Sequence, residues 1–271
     1  MQGLGNDVVV IDALDDPITI SEDRARMIAD RRRGVGCDQI MLIEPATQYG
    51  SQFAYRVFNA DGSPAQQCGN GARCVARYLV DHRGADPQIH LQSPAGPLIA
   101  ELVDSDSGQT WVRIDMGLPT LDPSKVPFEA TEPAPSYALS LGEVGVEIGV
   151  VSMGNPHAVL RVEDVDQAPV AKLGSAIGQH SRFPEQANVG FLQSVDRNRV
   201  KLRVCERGVG ETQACGSGAC AAVVAGRLWG LLDPIVTVEL LGGELIIEWQ
   251  GEGQSVWMTG AAEYVFEGRM T

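Results

Sequence analysis

Three features are scarce or missing in this sequence, and each absence argues against a class of protein. No apolar stretch approaches the ~20 residues that a membrane-spanning helix needs. None of the six cysteines forms a Cys-x-x-Cys pair, so the usual spacings of zinc and dithiol redox sites are missing. Positive charge is scarce, because 21 lysines and arginines face 35 aspartates and glutamates and leave a net charge of −14. Such an acidic surface does not suit nucleic acid or an anionic membrane as a partner.

A legible secretory signal is also missing from the first residues, where Asp7 and Asp12 interrupt any apolar run. We therefore expect a cytoplasmic protein whose cysteines stay reduced. A hydrophobic content of 44% is enough to build a full core. Glycine is abundant, at 31 of 271 residues, which indicates many tight turns or a backbone that approaches a ligand closely.

A proline-rich segment divides the chain near its middle. Residues 117–136 hold five of the fifteen prolines, and proline cannot donate the hydrogen bonds of a sheet interior. This segment indicates a connection between domains. We predict one domain over residues 1–116, joined by the C-terminal tail 262–271, and a second over residues 117–261.

The two halves also align with each other, as after an internal duplication. Gly5-Asn6 matches Gly154-Asn155 and Asp38-Gln39-Ile40 matches Ala187-Asn188-Val189, both at an offset of 149. The helical stretch from Ser21, its expected N-cap, to Arg32 matches residues 170–181. Cys-Gly-x-Gly-Ala occurs at 68–72 and again at 215–219, with a polar residue, Asn59 or Glu206, nine positions before each cysteine.

Short strands and two buried helices are predicted between these matches. Alternating or β-branched residues predict strands over 53–58, 98–102, 110–115, 146–151, 188–193, 200–205, 236–240 and 244–249. After each Cys-Gly-x-Gly-Ala the pattern becomes helical, over 72–81 and 219–229, and is apolar on most faces. We therefore predict an α+β fold of two pseudo-symmetric domains, each a curved, mainly antiparallel, barrel-like sheet wrapped around a central α-helix.

The repeated cysteines are the candidate catalytic groups. Cys68 and Cys215 each lie where a strand-rich segment turns into a buried helix, and at a helix N-terminus the dipole and the free N–H groups favour a thiolate and should lower the thiol pKa. The glycines that follow allow those N–H groups to approach a carboxylate. Two equivalent thiols suit the inversion of a stereocentre, which needs a base on one face of a carbon and an acid on the other.

Eight motifs, in one order along nearly the whole chain, resemble those of the diaminopimelate epimerase family. They are GLGND (3–7), GCDQ (36–39), FNADG (58–62), CGNGARC (68–74), GNPH (154–157), NVGF (188–191), ERGVGET (206–212) and ACGSGA (214–219). The resemblance implies a cofactor-independent, metal-free epimerase that converts LL- to meso-diaminopimelate, on the route to lysine and peptidoglycan. It also implies a homodimer, with Cys68 and Cys215 as the acid and base.

The resemblance further implies the residues that would bind this small-molecule substrate. Amides offer a donor and an acceptor together, which suits an ammonium beside a carboxylate, and the matched ones are Asn6, Gln39, Asn59, Asn70, Asn155 and Asn188. Arg207 would pair with the distal carboxylate. The main-chain donors of Gly69-Asn70 and Gly216-Ser217 would take the reacting carboxylate. His157 and Glu206 would each orient or tune one thiol, whereas Cys37, Cys74, Cys205 and Cys220 are expected to be packing residues.

The chain departs from the family pattern in a few places. It begins at GLGND, where relatives normally have a short strand before that motif, which indicates a truncated chain or a start placed late. We expect this to affect the order of Asn6 and the edge of the first sheet. Gln2 stands where His is common, Val8 where Phe is common, and Cys205 where Tyr is common.

Other functions remain open on the sequence alone. A proline or hydroxyproline racemase of the same fold would carry a histidine in the first cysteine loop, where Asn70 stands, and an Asp-x-Ser-Pro-Cys context before the second thiol. A phenazine-pathway isomerase would lack the two cysteines. A thiol-redox or metal-binding module is less favoured, since the spacings 68 to 74 and 215 to 220 suit neither kind of site.

Overall fold

The computed structural model describes residues 1–65, 68–104, 110–142 and 144–269. Contacts divide the chain into two units, Met1–Asp115 with Thr259–Thr271, and Met116–Met258. The boundaries predicted from the sequence lay at 116/117 and 261/262. The second division falls inside a strand, which explains why no turn or composition change marks it in the sequence.

Unit 1 is a mixed sheet with two helices. Its elements are β1 (Gln2–Gly3), β2 (Asn6–Asp12), α1 (Glu22–Ala29), β3 (Gln39–Pro45), β4 (Phe53–Asn59), β5 (Pro64–Ala65), α2 (Gly69–Arg83), β6 (Gln88–Ser93), β7 (Gly96–Asp104) and β8 (Thr110–Asp115). β2 runs parallel to β3, and β4 runs parallel to β6. The pairs β1/β2, β3/β4, β4/β5, β6/β7 and β7/β8 are antiparallel. Asn6 is the first residue of β2 and pairs with Gly3.

Unit 2 repeats this order after an antiparallel pair of strands. Its elements are β9 (Tyr137–Leu141), β10 (Val144–Ser152), β11 (Pro156–Arg161), α3 (Val170–Gly178), β12 (Asn188–Ser194), β13 (Arg199–Glu206), β14 (Gly210–Thr212), α4 (Gly216–Leu228), β15 (Ile235–Leu240) and β16 (Gly243–Glu248). The last strand, β17 (Trp257–Ala261), begins in unit 2 and ends in unit 1. β11/β12 and β13/β15 are parallel, as β2/β3 and β4/β6 are in unit 1. The same sequence of elements and pairings in both units agrees with the predicted duplication and fold class.

Each unit packs its sheet around one central helix, as predicted. α2 contacts β1, β2, β3, β7 and β8, and α4 contacts β10, β11, β12, β13 and β16. Small and branched residues cover most faces of both helices and are fully buried, so strands can approach from several sides. Both helices begin three residues earlier than predicted, directly after Cys68 and Cys215.

Most predicted strands lie within or beside observed ones, but several helix ends differ. Residues 110–115 were predicted correctly as a strand, and Ser21 is the N-cap of α1, accepting a hydrogen bond from the Arg24 amide. The predicted helix 21–32 ends at Ala29 because the Asp30 carboxylate accepts from the amides of Arg32 and Arg33 and holds a turn there. The predicted helix 170–181 likewise ends at Gly178.

The proline-rich segment is more than a connection. It contains no regular strand or helix, yet Val126 and Phe128 are buried in the core of unit 2 beside Tyr137 and Phe183. The segment is therefore part of that unit's packing. The four cysteines expected to be packing residues are all buried, which confirms that prediction; they are Cys37, Cys74, Cys205 and Cys220.

Within the described residues, no helix has both the length and the apolar character needed to cross a membrane. The same residues contain no group of three or more histidine, cysteine or acidic side chains arranged to hold a metal ion.

Candidate active site

Cys68 caps the first turn of α2 in unit 1. Its backbone is extended, with φ −144°, and its Sγ accepts a hydrogen bond from the Gly71 amide at 3.2 Å. Gly69 and Asn70 are the first residues of the helix, where backbone N–H groups have no carbonyl partner inside the helix. The half-buried thiol therefore lies beside the donors that an anionic substrate group would need.

The Asn70 side chain is fixed by a fully buried arginine. Arg73 Nη2 donates to Asn70 Oδ1 at 2.9 Å, and Arg73 Nε donates to the Ala261 carbonyl at 3.1 Å. Arg73 is 0% exposed and Asn70 is 6% exposed. The amide oxygen thus accepts from the arginine, whereas the amide nitrogen donates to no partner among the described residues.

The other three amides predicted in unit 1 lie at neighbouring strand ends. Gln39 begins β3 and Asn59 ends β4, directly opposite it, and Gln39 Nε2 donates to Asn59 Oδ1 at 3.2 Å. Asn59 in turn donates to Ser63 Oγ at 3.1 Å. Asn6 Nδ2 lies 3.5 Å from Asp38 Oδ2, whereas Asn6 Oδ1 is buried with no partner among the described residues. Such an oxygen is poised to accept from a ligand ammonium.

Cys215 occupies the equivalent place at the start of α4 but is much more deeply buried. It is 5% exposed, and its Sγ lies 3.6 Å from Ser217 Oγ. Burial raises the pKa of this thiol well above its usual range, and the negative charge of Glu206 acts in the same direction. Hydrogen bonds from Ser217 and the Gly218 amide partly offset this rise in pKa. The predicted lowering of the Cys215 pKa is therefore wrong, because desolvation outweighs the hydrogen bonds that favour the thiolate.

Glu206 is held next to Cys215 by the turn that follows β13. Glu206 is the last residue of β13, and β14 folds back onto that strand. Thr212, at the end of β14, donates from its hydroxyl to Glu206 Oε1 at 2.5 Å. This bond fixes the direction in which the carboxylate faces.

His157 is a buried, neutral histidine joined to the same thiol through Ser217. Its Nε2 lies 2.9 Å from Asn155 Oδ1 and 3.1 Å from Ser217 Oγ, while Nδ1 has no partner among the described residues. Burial lowers the pKa of His157 to about 3, and the nearby charge of Arg207 acts in the same direction. His157 and Glu206, which we expected to serve one thiol each, thus both belong to the surroundings of Cys215 within unit 2.

Asn188 and Arg207 complete the group of matched residues in unit 2. Asn188 Oδ1 accepts from the Arg207 amide at 2.9 Å, and its Nδ2 donates to the Pro156 carbonyl at 3.3 Å. The exposed guanidinium of Arg207 donates to the Glu185 carbonyl at 2.8 Å. Asn188 therefore fixes the backbone of Arg207, whose charged end remains open to solvent.

Two residues of the site were missed by the sequence reasoning. Arg73 and Thr212 both lie inside quoted motifs, CGNGARC and ERGVGET, but each acts on another site residue rather than on a ligand. Arg73 follows Asn70 by three positions, a spacing that places the two side chains on one face of a helix, but the predicted helix began only at residue 72. Thr212 is brought to Glu206 by a hairpin that the sequence did not predict.

The comparisons with known proteins agree with these motifs. A family model described as diaminopimelate epimerase matches residues 1–121 and 149–265. Diaminopimelate epimerase of Alkalilimnicola ehrlichii is 53% identical, covering 100% of this chain and 96% of the relative. The enzyme of Halorhodospira halophila is 52% identical, covering 100% of this chain and 93% of the relative.

Solved structures share the fold at low identity. A PhzF-family phenazine biosynthesis protein of Bacillus anthracis is 16% identical with a TM-score of 0.68, covering 98% of this chain and 93% of that one. A hydroxyproline epimerase of Agrobacterium vitis is 18% identical with a TM-score of 0.62, covering 91% and 79%. These likenesses support the two-domain α+β fold predicted from the sequence.

Proposed function

This chain belongs to the diaminopimelate epimerase family, and we propose that it interconverts LL- and meso-diaminopimelate with Cys68 and Cys215 as the acid and base. It is an isomerase, an amino-acid epimerase that acts on a small molecule. We propose further that it acts in the cytoplasm and supplies precursors of lysine and peptidoglycan.

The repeated thiol at a helix start carries the proposal. Cys68 and Cys215 are the residues that directly precede α2 and α4, at equivalent positions in the two repeats. Each is followed by main-chain donors at a helix N-terminus, which favour an anion such as a substrate carboxylate. A duplicated site with one thiol in each copy suits a reaction whose substrate and product differ only in the hand of one carbon.

The proposed step moves protons only. One cysteine, as the thiolate, takes the α-proton and becomes a thiol, while the electron pair of the C–H bond passes to the α-carbon and its carboxylate. The other cysteine, as the thiol, gives its proton to the opposite face and becomes the thiolate. Main-chain donors stabilise the charge that develops on the carboxylate. The balance requires no oxidant, reductant or cofactor.

Amides and an arginine would select the second amino-acid end of diaminopimelate. Asn6 offers a buried amide oxygen without a partner among the described residues, and Arg207 offers an exposed guanidinium. An amide oxygen accepts from an ammonium, and a guanidinium donates to a carboxylate. The proposed distal contacts therefore match the zwitterion that distinguishes diaminopimelate from simpler amino acids.

Solvent-deuterium incorporation tests the proposed function. With no metal or pyridoxal phosphate added, LL-diaminopimelate in D₂O should give the meso isomer with deuterium at the inverted α-carbon. L-Proline under the same conditions should show neither inversion nor exchange. Exchange on proline without exchange on diaminopimelate would instead assign the chain to the proline racemase type.

A homodimer is the other part of the proposal, and the C-terminal segment of unit 1 supports it. Val265 and Phe266 are 62% and 64% exposed and line one groove with Val9 and Ile11 of β2. Exposed apolar groups grouped in this way are typical of a protein interface.

We expect light scattering to give the mass of two chains for the protein and of one chain for Phe266→Asp. The physical reason is that a charge in place of an apolar contact would be buried without a partner. Tyr49→Asp, at a fully exposed position of the same unit, is the control and should remain dimeric. A single-chain mass for the unaltered protein at micromolar concentration would overturn the proposed dimer.

A further inference from the structure

The two cysteine loops differ in the residue that follows Cys-Gly, and this difference gives a further role to one side chain. Asn70 follows Cys68-Gly69, and Ser217 follows Cys215-Gly216. The oxygen of Asn70 accepts from Arg73, whereas the hydroxyl of Ser217 lies 3.6 Å from the Cys215 sulfur. In unit 2, the side chain at this position therefore lies within hydrogen-bonding distance of its own thiol.

The histidine next to Ser217 determines where the hydroxyl hydrogen can point. Asn155 Oδ1 can only accept, so the Nε2 atom of His157, 2.9 Å away, carries the hydrogen of the neutral imidazole. The same N–H faces Ser217 Oγ at 3.1 Å, so Ser217 cannot donate to that nitrogen. The hydroxyl keeps one donor, and the Cys215 sulfur lies within its reach.

We propose that Ser217 is a positioning residue for Cys215, held by His157 so that its hydroxyl donates to the sulfur whenever the sulfur is a thiolate. The chain of bonds runs from His157 Nε2–H to Ser217 Oγ and from Ser217 O–H to Cys215 Sγ. Charged acceptors form stronger hydrogen bonds than neutral ones, so the bond favours the thiolate over the thiol. The proposal rests on the proposed function only in taking Cys215 as a proton-transfer group.

The other groups around Cys215 act in different directions. Glu206 of β13, held by Thr212 of β14, disfavours a second negative charge beside it. The Gly218 amide of α4 favours the thiolate. His157 of β11 stays neutral over the working pH range, because burial and the charge of Arg207 lower its pKa to about 3. Ser217 is therefore one of two donors that oppose burial and Glu206, and the one that a side-chain substitution can remove.

The test is the rate of Cys215 alkylation by iodoacetamide between about pH 7 and 9, followed by peptide mapping in a Cys68→Ala background without substrate. These pH values lie below the pKa of the buried thiol, so the rate is proportional to the small fraction of thiolate. Ser217→Ala should lower the rate about tenfold, because a rise of about one unit in the thiol pKa removes about nine tenths of the thiolate. Greater accessibility beside the smaller alanine side chain would change the rate in the opposite direction. Ser217→Thr, which keeps the hydroxyl, should stay close to the parent, as should Ser175→Ala on the exposed face of α3.

A second pair of variants tests the histidine. Gln places a donor near the position of His Nε2, whereas Asn reaches only the position of Nδ1, which has no partner among the described residues. His157→Gln should therefore keep the alkylation rate closer to that of the parent than His157→Asn. Circular dichroism and thermal melts verify that each variant folds. If Ser217→Ala does not fold, the comparison of His157→Gln with His157→Asn tests the proposal.

An unchanged or raised alkylation rate in Ser217→Ala, or equal losses of rate in the alanine and threonine variants, would overturn the proposal. Equal rates in folded His157→Gln and His157→Asn would overturn the part assigned to the histidine. Because no substrate is present, these results are independent of which amino acid the enzyme epimerises. A failure of the substrate assignment is therefore distinguishable from a failure of the Ser217 proposal.

Discussion

Replacing either Cys68 or Cys215 by alanine is expected to abolish epimerisation, with a loss of at least 10²–10⁴-fold, the usual contribution of a general acid or base. The physical reason is that inversion needs a proton acceptor on one face of the carbon and a proton donor on the other. A single remaining thiol can only return a proton to the face from which it came. The measurement is the rate of conversion from each stereoisomer, by chiral chromatography of the amino acids.

Serine variants and a control alanine variant show whether the loss of turnover is specific to the two active-site thiols. Cys68→Ser and Cys215→Ser should also lose most turnover, because a hydroxyl is a far weaker base than a thiol. Cys220→Ala removes a buried thiol from the same helix that Cys215 precedes, and should retain turnover. If either active-site alanine variant kept near wild-type epimerisation, the two-base assignment would be wrong.

Much of the fold was predictable because the duplication places each sequence pattern in the chain twice. The helices after Cys68 and Cys215 were predicted from their small, apolar residues, but their first turns were not, since glycine is a poor helix former. The structure shows why those glycines stand there. A Cβ on Gly71 would lie 2.5 Å from Met41 Sδ, and one on Gly216 would lie 2.8 Å from Met258 Sδ. Long-range packing of this kind leaves no local pattern.

The strands β2 and β3 were missed for a related reason. Apolar residues follow one another without a break over 8–11 and 40–43, so both segments lack the alternation that predicts a half-buried strand. They form the parallel pair that places Asn6 and Gln39 at the same end of the sheet. The sequence motifs thus identified the candidate residues, whereas their arrangement depended on pairings that no short pattern specifies.

Burial was the property of the site that the sequence predicted least well. The position of Cys215 before a helix was predicted correctly, but its depth of burial was not, and that depth reverses the direction of its pKa. The same depth makes the Ser217 hydroxyl important, because a hydrogen bond that is weak in water is stronger in a dry site. Local sequence gives the chemistry of a group, and tertiary packing gives the environment in which it reacts.

Arg207 is the residue that we expect to select the distal end of the substrate. Its backbone is fixed by Asn188, and its guanidinium is exposed with one hydrogen bond to the Glu185 carbonyl. A planar guanidinium can form two parallel hydrogen bonds with a carboxylate. In the proposed function this carboxylate is the distal one of diaminopimelate, which L-lysine lacks although it has the distal amine.

Lysine should therefore be epimerised negligibly, at about 10⁻⁴ of the diaminopimelate rate, as in sites that reject analogues lacking a required polar group. Arg207→Met should lower kcat/KM for diaminopimelate by about 10²-fold, because a charged hydrogen-bonding partner is lost. The same variant should hardly change the residual rate with lysine. The ratio of the two specificity constants is the measurement, since it falls only if the arginine recognises the group in which the substrates differ.

Arg161→Met provides the control within unit 2. Arg161 is the exposed last residue of β11, four positions beyond His157, which places it ~13 Å farther along the strand. Its replacement removes a surface arginine from the same unit and should leave the ratio unchanged. Comparable rates with lysine and diaminopimelate in the unaltered enzyme would remove the role assigned to Arg207 while leaving the two thiols in place. A ratio that falls equally in both arginine variants would point instead to the net charge of the unit, because long-range attraction of a substrate depends on total charge rather than on one contact.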